Sequence, residues 1–308
     1  MLQAPEIAEL LKVKPQFVNK LRNNLSFEDG VDTVLQVNKR RYYTPLAMRK
    51  ILIERGYEFK KRVISISQLK GGVGKTAIAT SLAKKASELG FRTLLVDLDK
   101  QGNSTDQLWP ESVDMQFNCF YDVLKKDATF KSCIVRLSET LDLFPSNLKN
   151  QLAEIEINSA AINIGSYLKK LTKGLEYDLV VFDTEPNLSK LNSMALACSD
   201  LVIAPVKMDK SSVDGLELLI DQIQNQSEEW PEIKTEVKVL FNAFDKRMTK
   251  KAIGKISEVN ELGASTFETV IRTDQEFVNA QESGDIKSGS KAYEDVRNLV
   301  VEALDISK

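Results

Sequence analysis

Two hydrophobic patterns alternate along the chain from about residue 59 onwards. Short runs of consecutive apolar residues predict buried strands, and they lie within KRVISIS, FRTLLVDLD, YDLVVFDTEP, DLVIAPVKMD and EVKVLFNAFD. Between them, segments such as AIATSLAKKASELG and SVDGLELLIDQIQNQ have apolar residues at helical spacing. Strands alternating with helices predict an α/β domain over residues 59–308 with a doubly wound, mostly parallel sheet. The functional site of such a fold lies at the carboxyl ends of its strands.

The first 58 residues follow a different pattern. PEIAELLKV and PQFVNKLRNN predict two short helices with a tight connection, and TVLQVNKRRYY predicts a hairpin that turns at Asn38-Lys39. Thr44, Pro45 and Gly56 mark the beginning and end of a third helix. This order is typical of a small winged helix-turn-helix domain, and a short charged linker near residues 57–62 separates it from the larger domain.

A winged helix-turn-helix domain places its second helix in the major groove of DNA. The candidate DNA contacts are Gln16, Asn19, Lys20 and Arg22 on that helix, and Lys39 and Arg40 in the hairpin. The same pattern also fits a small helical cap or a dimerisation element with basic decoration.

The charge distribution supports a polyanionic partner for the small domain. Residues 1–60 contain 11 lysines and arginines against 7 acidic residues, whereas the rest contains 31 against 37, within a net charge of −2. A basic segment on a slightly acidic body suggests nucleic-acid binding. An ordinary solvated surface would give the same counts.

Composition removes several classes of protein. No stretch approaches the ~20 apolar residues of a membrane span, and the first residues do not resemble a signal peptide, so we expect a cytoplasmic protein. Cys119, Cys133 and Cys198 are far apart and predict buried thiols rather than a disulfide or metal framework. The chain has no histidine, which excludes the commonest general base and metal ligand.

A glycine-rich loop, GGVGKT at residues 71–76, follows a predicted strand and precedes a predicted helix. This context is the one that a phosphate-binding loop requires. Glycines let the backbone N–H groups converge on phosphates, Lys75 would reach the β- and γ-phosphates, and the Thr76 hydroxyl would bind Mg²⁺. The predicted nucleotide-binding residues of the loop are Lys70, Gly71, Gly72, Val73, Gly74, Lys75, Thr76 and Ala77.

The heptapeptide KGGVGKT, with lysines at both ends, resembles the deviant Walker A motif of the ParA/MinD group of P-loop ATPases. In that group the first lysine, here Lys70, reaches the nucleotide of the partner subunit, so the resemblance implies a homodimer. A lysine that only solvates the edge of the loop is the alternative. The resemblance implies catalytic roles for Lys70, Lys75 and Asp99.

Further motifs over residues 63 to about 300 resemble the same group. LLVDLDKQGNST is similar to its second acidic motif, which implies that Asp99 activates the attacking water and that Asp97 lies near Mg²⁺. VVFDTEP resembles the Walker B motif, in which Asp183 would hold the metal through its water shell. Lys100 replaces the usual proline, and Glu185 replaces a proline or small residue. FNAFDKR resembles the segment beside the adenine, with Asn242 as a candidate base contact.

The resemblance is strongest to plasmid partition ATPases with an N-terminal DNA-binding domain. It implies ATP and Mg²⁺ as cofactors, slow hydrolysis stimulated by a ParB-like partner, and an ATP-bound dimer that binds DNA without sequence preference on the nucleoid. Operator binding by the N-terminal domain would add autoregulation. The basic stretch DKRMTKKAIGK offers Arg247, Lys250 and Lys251 as DNA contacts, although charge runs are often only solvated.

Other functions share the same loop. The tail KAYEDVRNLVVEALDISK has three basic and four acidic residues, which argues against a MinD-type membrane helix; its apolar residues are expected to pack on the sheet. The cysteines do not fit an iron–sulfur ATPase. An ATP-switched repressor and a MinD-like positioning ATPase remain alternatives, and the sequence is consistent with either a dimer or a filament.

Overall fold

The computed structural model describes residues 1–35, 40–109, 116–159, 162–207, 209–245, 247, 249–277, 279 and 286–306. It describes only the backbone of residues 22, 23, 35, 210–213 and 249–253. The strands, in chain order, are β1 (Leu2–Gln3), β2 (Thr33–Leu35), β3 (Arg41–Tyr43), β4 (Arg62–Ile66), β5 (Thr93–Asp97), β6 (Val135–Arg136), β7 (Leu141–Phe144), β8 (Leu179–Asp183), β9 (Leu201–Val206), β10 (Glu236–Phe241) and β11 (Ser265–Thr266).

The α-helices in the same ranges are α1 (Ala4–Leu10), α2 (Pro15–Leu25), α3 (Pro45–Glu54), α4 (Lys75–Glu88), α5 (Asn103–Leu108), α6 (Phe120–Leu124), α7 (Ala153–Ser159), α8 (Tyr167–Lys173), α9 (Lys190–Cys198), α10 (Lys210–Glu229), α11 (Thr249–Glu261) and α12 (Lys291–Ala303). Short 3-10 helices cover Lys131–Cys133 and Leu148–Leu152.

A sheet in the order β11-β10-β9-β4-β8-β5-β7-β6 forms the centre of the described chain. Neighbouring strands are parallel except β6, which is antiparallel to β7. Alternate residues of β8 enter different hydrophobic clusters: Leu179 and Val181 enter one, and Val180 and Phe182 enter the other. Both faces of the sheet are therefore covered, which explains why its strands are apolar throughout. The predicted α/β fold with a mostly parallel sheet is confirmed.

The predicted elements of the N-terminal segment are present. α1 and α2 are joined by a short turn, and Thr44 caps α3 by accepting a hydrogen bond from the N–H of Ala47. β2 and β3 pair antiparallel as the hairpin prediction requires, and β1 adds an unexpected third strand beside β3. The turn predicted at Asn38-Lys39, including the candidate DNA contact Lys39, lies outside the described residues.

The N-terminal segment packs directly on the α/β body. Its buried residues, such as Met48 and Ile51, belong to the same hydrophobic cluster as residues of the sheet and of α4 and α12. The Arg49 guanidinium lies 2.5 Å from a carboxylate oxygen of Asp178 and also donates a hydrogen bond to the carbonyl of Gly90. One continuous core therefore joins residues 1–58 to the rest of the chain.

The C-terminal helix α12 begins at a serine cap, Ser290, which accepts a hydrogen bond from the N–H of Tyr293. Its apolar side chains are buried, as the sequence predicts, in the cluster that contains α4 and apolar residues of the sheet, and the helix contacts α4 directly. Within the described ranges, no helix combines the length and apolar character needed to cross a membrane. The three cysteines are free and buried, as expected.

Candidate nucleotide-binding site

The glycine loop lies between the end of β4 and the start of α4, at the carboxyl edge of the sheet. Gly72 and Gly74 have φ of 69° and 90°, in the left-handed region that favours glycine. A Cβ at Gly74 would also lie 2.5 Å from Nδ2 of Asn242. The loop conformation therefore depends on glycine, and it points the N-terminus of α4 into a cleft of about 790 Å³.

Asn242, at the end of β10, braces this loop. Its side-chain Nδ2 donates to the carbonyl of Val73 at 2.7 Å, and its Oδ1 accepts from the N–H of Ala243 at 2.8 Å. The residue is buried and does not line the cleft. Its contact with a base, expected from the family motif, stays a prediction, because both polar groups are engaged within the protein here.

Lys75 is the first residue of α4 and lines the cleft with Gly71, Gly72, Thr76 and Ala77. Only 8% of its surface is exposed, and this burial lowers the pKa of its ammonium group. The carboxylates of Asp183 and Asp99 act in the opposite direction and favour the charged form. A buried cation at the start of a helix is the environment that a polyphosphate needs.

Asp183 ends β8 and is fully buried beside the loop. Its Oδ2 accepts a hydrogen bond from the Ser104 hydroxyl at 2.7 Å, whereas its Oδ1 has no partner among the described residues. Burial raises the pKa of Asp183, and the nearby hydroxyl groups of Ser104 and Thr76 oppose that rise. A buried carboxylate oxygen without a partner is rare unless an ion or water satisfies it.

The donor set around Asp183 fits Mg²⁺. The Thr76 hydroxyl and the Asp183 carboxylate are the oxygen ligands that this ion prefers, and Mg²⁺ usually keeps several waters. No group of three or more cysteine, aspartate or glutamate side chains assembles into a metal cage in the part of the chain that the structure describes. The remaining ligands would therefore come from water and nucleotide phosphates.

Asp97 lies near Asp183, and its expected role near the metal stays a prediction. It is fully buried at the end of β5, and its Oδ2 accepts hydrogen bonds from the backbone N–H and the hydroxyl of Thr105, at 2.9 and 2.8 Å. Its Oδ1 accepts from the N–H of Asp99 at 3.1 Å. Through these hydrogen bonds Asp97 ties α5 and the Asp99 loop to the sheet.

Asp99 lies in the loop after β5 and lines the cleft. Its Oδ1 accepts a hydrogen bond from the N–H of Gln101 at 2.9 Å, and its carbonyl accepts one from the hydroxyl of Ser146 at 2.6 Å. Burial raises the pKa of Asp99, while the nearby Lys75 lowers it. Loop and side chain are thus fixed close to Lys75, where an attacking water could be oriented.

Lys70, the first lysine of the loop motif, pairs with an acidic residue of its own chain. Its Nζ lies 2.6 Å from a carboxylate oxygen of Asp209, and its side chain is 28% exposed. Lys70 is not among the residues that line the cleft of its own chain. A lysine in this position can serve a second molecule only by exchanging Asp209 for another anion.

The two departures from the family motif contact each other. Glu185 accepts hydrogen bonds from the backbone N–H of Lys100 at 3.0 Å and from the Lys100 ammonium at 3.2 Å. Sequence reasoning identified both positions but not their pairing. It also missed Ser104, which donates a hydrogen bond to Asp183, and Lys207, which lines the cleft. The place of Ser104 in QGNST, directly after the acidic motif, could have identified it as a residue of the site.

The candidate DNA contacts lie on separate elements of the chain. Gln16, Asn19 and Lys20 are exposed on α2, and Arg40 is exposed before β3. Arg247 is exposed, but its guanidinium is paired with Asp245, whose pKa falls to about 2 because of this contact. The side chains of Arg22, Lys250 and Lys251 lie outside what the structure describes.

The chain matches a family model and several proteins of known name. A family model described as AAA domain matches residues 61–239. The cell division protein PomZ of Myxococcus xanthus is 31% identical over 285 residues, covering 91% of this chain and 84% of PomZ. The chromosome partitioning protein ParA of the same organism is 32% identical over 201 residues, covering 63% of this chain and 69% of that protein.

The fold recurs in a solved enzyme. The crystal structure of cobyrinic acid a,c-diamide synthase from Mycobacterium smegmatis, with a bound ATP analogue and magnesium, has a TM-score of 0.68 and 24% identity. The match covers 79% of this chain and 94% of that one. At this level of identity the likeness shows the shared fold alone.

Proposed function

This chain belongs to the AAA domain family as a ParA/MinD-type P-loop ATPase, and from that premise we propose that it hydrolyses ATP slowly, with Mg²⁺, to control its binding to DNA. The biological role proposed is partition of a DNA molecule, as in the plasmid partition proteins that its motifs resemble. The protein would act in the cytoplasm, on the nucleoid.

One observation carries the ATPase proposal: the buried Oδ1 of Asp183 has no partner among the described residues, and the neighbouring Thr76 lines the cleft together with Gly71, Gly72 and Gly74 of the loop. The buried Lys75 supplies positive charge there. An Mg²⁺–nucleotide complex would suit these groups together, because backbone N–H groups and Lys75 would hold its phosphates and Thr76 and Asp183 would hold its hydrated ion.

The residues of the site have separate tasks in this mechanism. The loop from Gly71 to Ala77 holds the phosphates and Lys75 neutralises them. Thr76 and Asp183 would hold Mg²⁺, which supplies further positive charge to the phosphates when bound. Asp99 orients the attacking water. Since no histidine is available, positioning and electrostatics provide the rate enhancement, which suits slow phosphoryl transfer.

Dimerisation would make hydrolysis a timer. In our proposal ATP replaces Asp209 as the anionic partner of Lys70, but in a second copy of the chain, so that nucleotide occupancy and dimer formation are linked. The dimer then binds DNA through basic residues of both copies, including Arg247, Lys250 and Lys251. A ParB-like partner stimulates hydrolysis and thereby releases the DNA.

The test is binding of random-sequence duplex DNA by the wild type and Lys70→Ala, with ATP, ADP or no nucleotide, at two salt concentrations. We expect ATP to raise wild-type affinity about tenfold or more, and Lys70→Ala to lose this effect. Higher salt should weaken binding throughout. Lys60→Ala is the matched control, because Lys60 is highly exposed and pairs with Glu58 at the surface. Equal binding in all nucleotide states would contradict the proposal.

Exposed polar residues on α2 favour a second candidate, an ATP-switched repressor that uses its N-terminal segment as a winged helix-turn-helix domain. In that case Asn19→Ala and Lys20→Ala should weaken binding to operator DNA in every nucleotide state. The same variants should leave ATP-dependent binding to random DNA unchanged. Similarity to PomZ over most of the chain also keeps spatial positioning as a candidate, for which localisation of a fluorescent fusion is the direct measurement.

A further inference from the structure

Glu185 follows β8 in the chain, and its carboxylate lies at the nucleotide cleft. It accepts three hydrogen bonds: Oε1 accepts the backbone N–H of Lys100 at 3.0 Å, and Oε2 accepts Nζ of Lys100 at 3.2 Å and Nδ2 of Asn187 at 2.6 Å. Its side chain is 12% exposed, against 38% for Lys100. Lys100, Glu185 and Asn187 all line the cleft, so this cluster is part of its wall.

The bond to the Lys100 backbone continues the pairing of two strands beyond their ends. β5 and β8 are in register up to the pair Asp97–Asp183, and the N–H of Leu98 then donates to the carbonyl of Asp183 at 3.0 Å. The next link is the N–H of Lys100 to Glu185. Asp99 lies between these two links, so Glu185 fixes one side of the loop that carries the proposed water-orienting carboxylate.

The Lys100 ammonium has a different task. A carboxylate in the wall of a phosphate-binding cleft repels the ligand, and like charges placed together in a partly buried site are strongly unfavourable. With its ammonium on Oε2, Lys100 neutralises the Glu185 charge without removing the backbone bond. One residue pair thus separates two effects: the backbone bond orders the loop, and the side-chain bond compensates charge.

We propose that Glu185 and Lys100 form a positioning unit for the ATP hydrolysis proposed above, on which this inference rests. Glu185 holds the loop so that Asp99 points into the cleft, and the Lys100 side chain preserves the affinity for nucleotide. Neither side chain is a catalytic residue in this assignment, since each acts through Asp99 or through the charge of the cleft.

The experiment measures kcat for ATP hydrolysis and, separately, affinity for a non-hydrolysable ATP analogue, in the wild type, Glu185→Ala, Lys100→Ala and the double variant. Glu185→Ala should lower kcat about tenfold without lowering affinity, because the loop loses its anchor while a negative charge leaves the cleft. Lys100→Ala keeps its backbone N–H, so kcat should stay within about twofold. Its affinity should fall about fivefold, because the Glu185 charge is uncompensated.

The double variant should recover most of the affinity lost in Lys100→Ala, since the uncompensated charge is gone. Glu185→Gln, which keeps the side-chain size and an acceptor oxygen for the Lys100 N–H, should restore kcat to within about threefold of wild type. If Glu185→Ala folds poorly, Glu185→Gln still tests the assignment. Glu258→Ala is the matched control, because it removes the exposed partner of Lys255 on α11, and neither residue lines the cleft.

Wild-type kcat in Glu185→Ala, or loss of affinity in both single variants without recovery in the double variant, would overturn the assignment. A wild type that neither binds the analogue nor hydrolyses ATP would instead refute the proposed function. The two failures are therefore distinguishable in the same set of measurements.

Discussion

Gly90 is the residue on which close docking of the N-terminal segment depends most directly. It follows the end of α4 with φ of +88°, and an added Cβ would lie 2.6 Å from both the backbone N of Arg49 and the carbonyl oxygen of Pro45. These atoms belong to the backbone of α3, which cannot move aside as a flexible side chain can. Gly90→Ala therefore has to displace α3 from the end of α4.

Gly263 provides the matched control. It follows the end of α11 at the same distance in sequence, with φ of +80°, but a Cβ there would meet no atom within 4 Å. Gly263→Ala should lower the free energy of unfolding by about 1 kcal/mol, because alanine is strained in a left-handed backbone conformation. Gly90→Ala adds a steric conflict in a packed interface, about 2 kcal/mol, for a total near 3 kcal/mol.

Denaturant unfolding of the full chain, followed by circular dichroism, measures both variants. We expect the free energy of unfolding to fall about three times as far for Gly90→Ala as for Gly263→Ala. A separate early transition in Gly90→Ala would mean that the N-terminal segment detaches first, which the same reasoning predicts. Losses equal to within about 0.5 kcal/mol would refute it, because the contact with α3 would then carry no strain.

Three further predictions concern the site and the charged contact between α1 and α12. Lys75→Ala should lower the rate of ATP hydrolysis about 100-fold or more, because it removes the buried cation of the phosphate cleft. Single-turnover assays measure this rate, and an unchanged rate would exclude Lys75 from the site. Asn242→Ala should weaken nucleotide binding about tenfold, because it removes the hydrogen bond to the carbonyl of Val73. Tenfold corresponds to about 1.4 kcal/mol, the contribution of one buried hydrogen bond. Titration with a fluorescent nucleotide measures the change, and equal affinity would show that the loop does not depend on this hydrogen bond. Arg297 lowers the pKa of Glu9, so this pair stabilises the protein above the unfolded pKa of about 4.3 and the contribution is lost as pH falls through the lower folded pKa. Thermal unfolding from pH 7 to 3 should therefore show a gap between wild type and Glu9→Gln that closes at low pH, and a gap that widens at low pH would contradict the sign.

Much of the fold follows from local features of the sequence. Consecutive apolar residues predict the strands β4, β5, β8, β9 and β10, because strands buried on both faces have no polar side to show. The phosphate loop is equally local: its glycines, its lysine and the helix start all lie within a few residues of each other. For the same reason α1, α2, α3 and the hairpin strands are recognisable before any tertiary contact is known.

Contacts between distant residues are decided by the tertiary structure. Asn242 meets Val73 across 169 positions, and Glu185 meets Lys100 across 85, because parallel strands bring their carboxyl ends to one edge of the sheet. The sequence indicated that these residues lie near the nucleotide, but it could not show which atoms pair. Register and side-chain direction determine that Asp97 turns inward to Thr105 while Asp99, two residues later, lines the cleft.

The sequence by itself determined the α/β sheet, the phosphate loop and the ATPase family, since each depends on the order of neighbouring residues and their hydrophobic period. Only the tertiary structure decided that the first 58 residues share one core with the body and that Lys100 compensates Glu185. It also left Oδ1 of Asp183 without a partner among the described residues. The physical reason is that burial, charge compensation and hydrogen bonding depend on which segments are in contact in the folded chain. The local sequence pattern does not specify these tertiary contacts.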